Sequence, residues 1–154
     1  MSVSSIPAAV TYLITMLNQT SVVTNPVPGF PIAVIRGAPL PEMPIDEAFV
    51  IQQAQRTTSR FQMRGDGGTG WLREDITIPI DVVCVRGGDD EVTMENRLWT
   101  MVGAAESAIR ADPTLGGTVL EAWPDSTPFT SEWTEQNIGR RGICTINVSC
   151  WNVI

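Results

Sequence analysis

The stretch Trp71-Leu72-Arg73-Glu74-Asp75-Ile76-Thr77-Ile78-Pro79-Ile80-Asp81-Val82-Val83-Cys84-Val85-Arg86 decides the fold of this chain. Ile76, Ile78, Ile80, Val82 and Cys84 fall at every second position, with Thr77, Asp81 and Val83 between them. A period of two sends alternate side chains to opposite faces, so the run predicts a long antiparallel strand buried on one side. Pro79 brings no ladder N–H and argues for an edge or a bulge at that point. Glu74 and Asp75 adjoin, so they point to opposite faces and make a poor acid–base pair.

Upstream, Ser59 to Arg64 reads as a strand joined to this one by the glycine-rich turn 65–70, with further strands at Ala48–Gln55 and Ile32–Ile35. Ile6, Ala9, Val10, Leu13, Ile14 and Leu17 recur at three and four residues, predicting a helix over 6–18 with Ser5 as N-cap and Pro7 in its first turn. Three prolines make 37–46 a stiff loop suited to contact with another subunit. Downstream, Asp89 or Asp90 caps a second helix whose stripe is Met94, Leu98, Met101, Val102, Ala105 and Ile109. Its exit, Arg110 to Val119, holds a proline that cannot continue the helix, an apolar anchor in Leu115, and Gly116-Gly117 for positive φ. Strands are expected at 117–123 and 142–152. The pattern predicts an α+β fold, a mainly antiparallel sheet with two amphipathic helices packed on one face. One domain over 1–154 is expected, with 1–4 disordered and 37–46 and 64–71 as extended loops.

All ten basic residues are arginines against seventeen acids, with no histidine, and the net charge is −7. An acidic chain is poorly suited to wrapping nucleic acid, whereas DNA passing an acidic wall is compatible with it. Without histidine the chain lacks the usual base near neutral pH and the commonest zinc ligand. Cys84, Cys144 and Cys150 read as small buried hydrophobes; along one strand Cys144 and Cys150 stand roughly 20 Å apart, beyond disulfide reach. No basic-then-apolar leader and no run of about 18 apolar residues is present, so a soluble protein without a membrane partner is expected.

Several local patterns resemble functional motifs and are read structurally instead. Gly65, Gly67 and Gly70 match a dinucleotide fingerprint, but a strand follows where a phosphate-binding helix N-terminus is needed. Arg64-Gly65-Asp66 is too short to carry an adhesion function. Asp89-Asp90-Glu91 suits helix capping better than a calcium loop. No catalytic, cofactor-binding or metal residue is nominated, and a carboxylate-only hydrolase has no pair to offer. Among the five tryptophans, Trp99 neighbours the helix stripe and is expected in the core, while Trp71 and Trp133 beside loops suit either interface anchoring or intramolecular packing. Exclusive arginine fits bidentate pairing with carboxylates across subunits, or base composition alone.

Gly70-Trp71-Leu72-Arg73-Glu74-Asp75-Ile76-Thr77-Ile78, the break Gly87-Gly88-Asp89-Asp90, the helix carrying Arg97, and the exit Ala111-Asp112-Pro113-Thr114-Leu115-Gly116-Gly117 together resemble the tail terminator, or tail completion, proteins of long-tailed bacteriophages. The likeness covers 70–119. It implies a tail-tube-like fold and a non-enzymatic virion protein that needs no cofactor and closes as a hexameric ring on the last layer of the tube. Such a ring ends tail polymerisation at the head–tail junction, after assembly in the host cytoplasm. Its partners would be its own copies, the tail-tube protein and a head completion or connector protein, with DNA passing only transiently through an acidic lumen. Position, rather than any matched motif, makes Pro39, Pro41, Glu42, Pro44, Arg64, Asp66, Trp71, Arg73 and Trp133 the candidate interface residues. A tube or connector subunit, and a small α+β ligand-binding or hydrolytic enzyme, are the alternatives.

Overall fold

Strand alternation and helical stripe meet in one core. The computed structural model describes residues 4–37, 46–60, 71–87, 90–133 and 139–154. Helices α1 (Ile6–Asn18), α2 (Ser21–Thr24) and α3 (Glu91–Ala111) accompany strands β1 (Ile32–Arg36), β2 (Glu47–Ile51), β3 (Gln55–Arg60), β4 (Leu72–Gly87), β5 (Glu121–Ser126), β6 (Thr130–Trp133) and β7 (Gly139–Val153). The sheet is mixed and mainly antiparallel, in the order β1-β2-β4-β7-β5, with β3 also on β4 and β6 also on β7. Only β1 and β2 run parallel among the described strands. The fold is α+β, as the sequence pattern requires.

Two long strands form the spine. β4 and β7 pair from Arg73↔Val153 to Gly87↔Gly139. β2 and β3 lie end to end along the free side of β4, and β5 and β6 do the same along β7. The predicted strand 48–55 is thus two strands broken at 52–54, and the expected strand 117–123 begins only at Glu121. Pro79 sits at neither an edge nor a bulge. Gln52 N donates to Pro79 O at 2.8 Å, and a strand residue turns its N and its O to the same side, so the missing N–H faces the break where β2 gives way to β3. The ladder therefore loses only the reciprocal bond to Gln52, at the point where β2 ends.

Ile76, Ile78, Ile80, Val82 and Cys84 of β4 join Cys144, Ile146, Val148 and Cys150 of β7 on one face. The six stripe residues of α3 and Ala9, Val10, Leu13 and Leu17 of α1 bury against them, so both helices cover that face. Burial pushes the Cys84 thiol up to about 11 and the Cys150 thiol up to about 12, which keeps both protonated near neutral pH. Asp90 is the α3 cap, its Oδ1 accepting from Thr93 N at 3.1 Å, while Asp89 lies outside the described residues.

The α1 cap differs from expectation. Ser5 makes no side-chain cap bond; its backbone N instead donates to Glu74 Oε2 at 3.0 Å, and Ser4 Oγ donates to Glu74 Oε1. Glu74, fully buried on the helix face, takes Arg56 as its ion pair and serves as a carboxylate at the helix N-terminus. Burial alone would raise its pKa, but the bonds from Ser4, Ser5 and Arg56 outweigh that and hold it below its ordinary value of 4.5. A lowered folded pKa stabilises the fold above the unfolded pKa, and that contribution is lost as pH falls through the folded one. Urea unfolding should therefore weaken more steeply between about pH 5 and about pH 3 in the wild type than in Glu74→Gln. Parallel pH curves would show that the anchor contributes nothing.

The α3 exit is more specified than a glycine turn. Asp112 accepts from Tyr12 Oη, from Thr114 Oγ1 at 2.9 Å and from Gly116 N at 2.9 Å, binding the exit to α1. Gly116 (φ 66°) and Gly117 (φ 80°) have positive φ as expected, and so does Leu115 (φ 48°). The buried Leu115 side chain holds that conformation in place.

Candidate assembly surfaces

Among the described residues, nothing packs over the other sheet face. Residues paired across antiparallel strands share a face, so Asp75 and Asp81 of β4, Glu121 and Asp125 of β5, and Glu132 of β6 all emerge there. Among the described residues of β3 to β7, Arg73 and Arg141 are the cations on that face. Both are engaged within the chain. Arg73 grips Asp75 through Nε and Nη2 and lies 4.9 Å over the Trp151 ring, and Arg141 pairs with Glu132. Asp81 is held by Gln52 Nε2 at 2.9 Å and Thr145 Oγ1 at 2.8 Å. The face is thus acidic, with its side chains fixed by neighbouring strands.

Both ends of the sheet expose apolar groups. Trp71, Leu72, Leu120 and Trp123, each at least 40% exposed, lie toward the end where β4 begins and β7 ends, on both faces of the sheet, with Leu72 paired to Ile154. Toward the opposite end Val92 is exposed at the start of α3, and Trp99, two turns further in, is exposed with its ring 6.4 Å from Phe129 beside the break between β5 and β6. Trp99 is therefore a surface residue: its position in the helix repeat lies beside the buried stripe, not within it. Isolated exposed apolar side chains need no explanation, but groups of aromatics are typical of interfaces.

Of the candidate interface residues, Trp71 is exposed and Arg73 is half-exposed at the first end, on the acidic side. Trp133 ends β6 opposite Arg140. Thirteen residues of β7 separate the partners of Arg73 and Trp133, about 40 Å of strand, so the structure does not bring them together. Pro39, Pro41, Glu42, Pro44, Arg64 and Asp66 lie outside the described residues. The expected pairing of arginines with another subunit is met inside the chain for Arg56, Arg73, Arg86, Arg97 and Arg141.

A buried charge cluster went unread in the sequence. Glu47, with no exposed surface, accepts from Arg97 Nε at 3.0 and 3.1 Å and pairs with Arg86, whose guanidinium lies 4.0 Å over the Phe30 ring. Residues 39 and 50 positions apart meet there, a separation that no local spacing reveals. Arg97 Nη2 is buried with no hydrogen-bond partner among the described residues.

No protein-family model and no curated protein matches the chain. Among solved structures it is similar to a chain described as "Virion of native gene transfer agent (GTA) particle". The two are 12% identical, the match spans 98% of this chain and 100% of that one, and the TM-score is 0.48. A likeness of that degree leaves function to the chain's own geometry.

Proposed function

We propose that this chain is a structural subunit of a phage-like virion that closes as a ring on the end of the tail tube. The ring stops tube growth and presents the surface that meets the head connector. The observation that carries this reading is the division of the sheet into a helix-covered core face and a bare face dominated by carboxylates. Turned inward in a ring, that face repels the DNA that must pass, so the duplex is guided without being held. The apolar groups at both ends of the sheet suit a subunit placed between two partners, the tube below and the connector above. The resemblance over 70–119 points the same way.

Native mass spectrometry and negative-stain imaging of the pure protein, alone and with purified tail tubes, test the proposal. Closed six-fold rings, or a monomer that forms rings on tube ends, are expected. Long tubes from the pure chain would make it a tube subunit instead, and a monomer that ignores tube ends would overturn the reading.

A further inference from the structure

The free edges of β5 and β3, on opposite sides of the β4–β7 spine, are treated differently. On β5, Ala122 N is taken by Pro113 O at 2.6 Å, and Pro124, which turns to the same outer side, has no N–H to offer. That edge is closed to further strands. β3 is open: all six of its residues are exposed. The direction of the Gln52–Pro79 bond sets the phase of β4, so Thr77, Asp75 and Arg73 turn their backbone groups toward β3. Their partners Gln55, Thr57 and Ser59 face inward, leaving the N–H and C=O of Arg56, Thr58 and Arg60 turned outward with no bond to any described residue. Natural proteins usually blunt such an edge with proline, charge or a covering loop.

We infer that the outer edge of β3 receives an extended, acid-bearing segment of a second copy of this chain as an added strand. The inference rests on the ring reading and names the surface through which neighbouring subunits join. Three features favour this occupant. The open β3 edge and the closed β5 edge lie on opposite sides of one sheet, so strand addition at β3 is not continued through β5. The slot carries Arg36 and Arg60, beside an Arg56 already paired with Glu74, while the chain as a whole is strongly acidic, so charge complementarity favours another copy. At the inner end of the slot, a recess of about 360 Å3 lined by Ile6, Val10, Arg36, Ile51, Gln52 and Ala54 offers a place for one side chain of the incoming strand.

The test uses proline as a probe of the outward N–H. Thr58→Pro removes a donor that β3 does not use toward β4, so circular dichroism and the melting temperature should be close to wild type while ring assembly is lost. Hydrogen exchange on the unmodified protein gives an independent reading: the amides of Arg56, Thr58 and Arg60 should be protected at least about 100-fold in rings relative to the monomer. Rings that form with these amides unprotected, or rings of Thr58→Pro as stable as wild type, would overturn the edge assignment and leave the ring reading standing. A wild type that forms no rings, alone or on tubes, would overturn both.

Discussion

Replacing Glu47 with alanine should cost about 3–5 kcal/mol of folding stability, the range for breaking a buried ion pair from one side. The carboxylate is fully buried, and among the described residues it is the one paired with the Arg86 and Arg97 guanidiniums, which are themselves only 12% and 14% exposed. With Glu47 gone, two buried guanidiniums are left beside Cys84, and Arg97, whose Nη2 has no partner among the described residues, loses both bonds of its Nε. Glu47→Gln keeps the shape and one acceptor, so its loss should be smaller. The double substitution E47L/R97M should recover more than half of the alanine deficit, because apolar groups of similar volume avoid the desolvation problem. Guanidinium titration followed by circular dichroism reads all three. A deficit below about 1 kcal/mol in Glu47→Ala would mean that both arginines reach solvent at little cost.

Gly116→Val should cost about 3 kcal/mol, the sum of a left-handed backbone conformation and an overpacked contact. A Cβ at Gly116 would lie 2.5 Å from Tyr12 Cε2 and 2.7 Å from Cδ2, so the ring must move. That movement pulls Tyr12 Oη off Asp112, the residue that also holds the Gly116 N–H. Gly117 gives the control: its φ is 80°, but a Cβ added there would meet nothing within 4 Å, so Gly117→Ala should cost only about 1 kcal/mol. For a chain of this size the difference in melting temperature between the two variants should be about 4–8 °C. Equal melting temperatures would show that the contact with Tyr12 relaxes freely.

Much of this architecture was legible because it repeats. The period of two in β4 and the stripe of α3 each name their buried residues, since a face hidden along its whole length leaves a regular trace in sequence. Pro79 misled because its cost depends on which way one N–H points, and that is set by a break in another strand at 52–54. Trp99 misled because a tryptophan one step from a buried stripe is large enough to look like part of it. The Glu47 cluster and the Gly116–Tyr12 contact join residues far apart in the chain, and pairing of that kind is decided by topology. Most of the candidate interface lay in loops, whose residue types reflect turn chemistry more than partner choice.

The breaks at 52–54 and 127–129 fall on opposite sides of the sheet and only a few residues apart along the spine. Along that line β4 and β7 are the only described strands that continue, with α3 packed behind them. A load applied to the β3–β4 hairpin therefore reaches the β6–β7 hairpin through two backbones, where an unbroken sheet would spread it over four. The line is a crease, and bending across it strains fewer ladder bonds than bending anywhere else in the sheet.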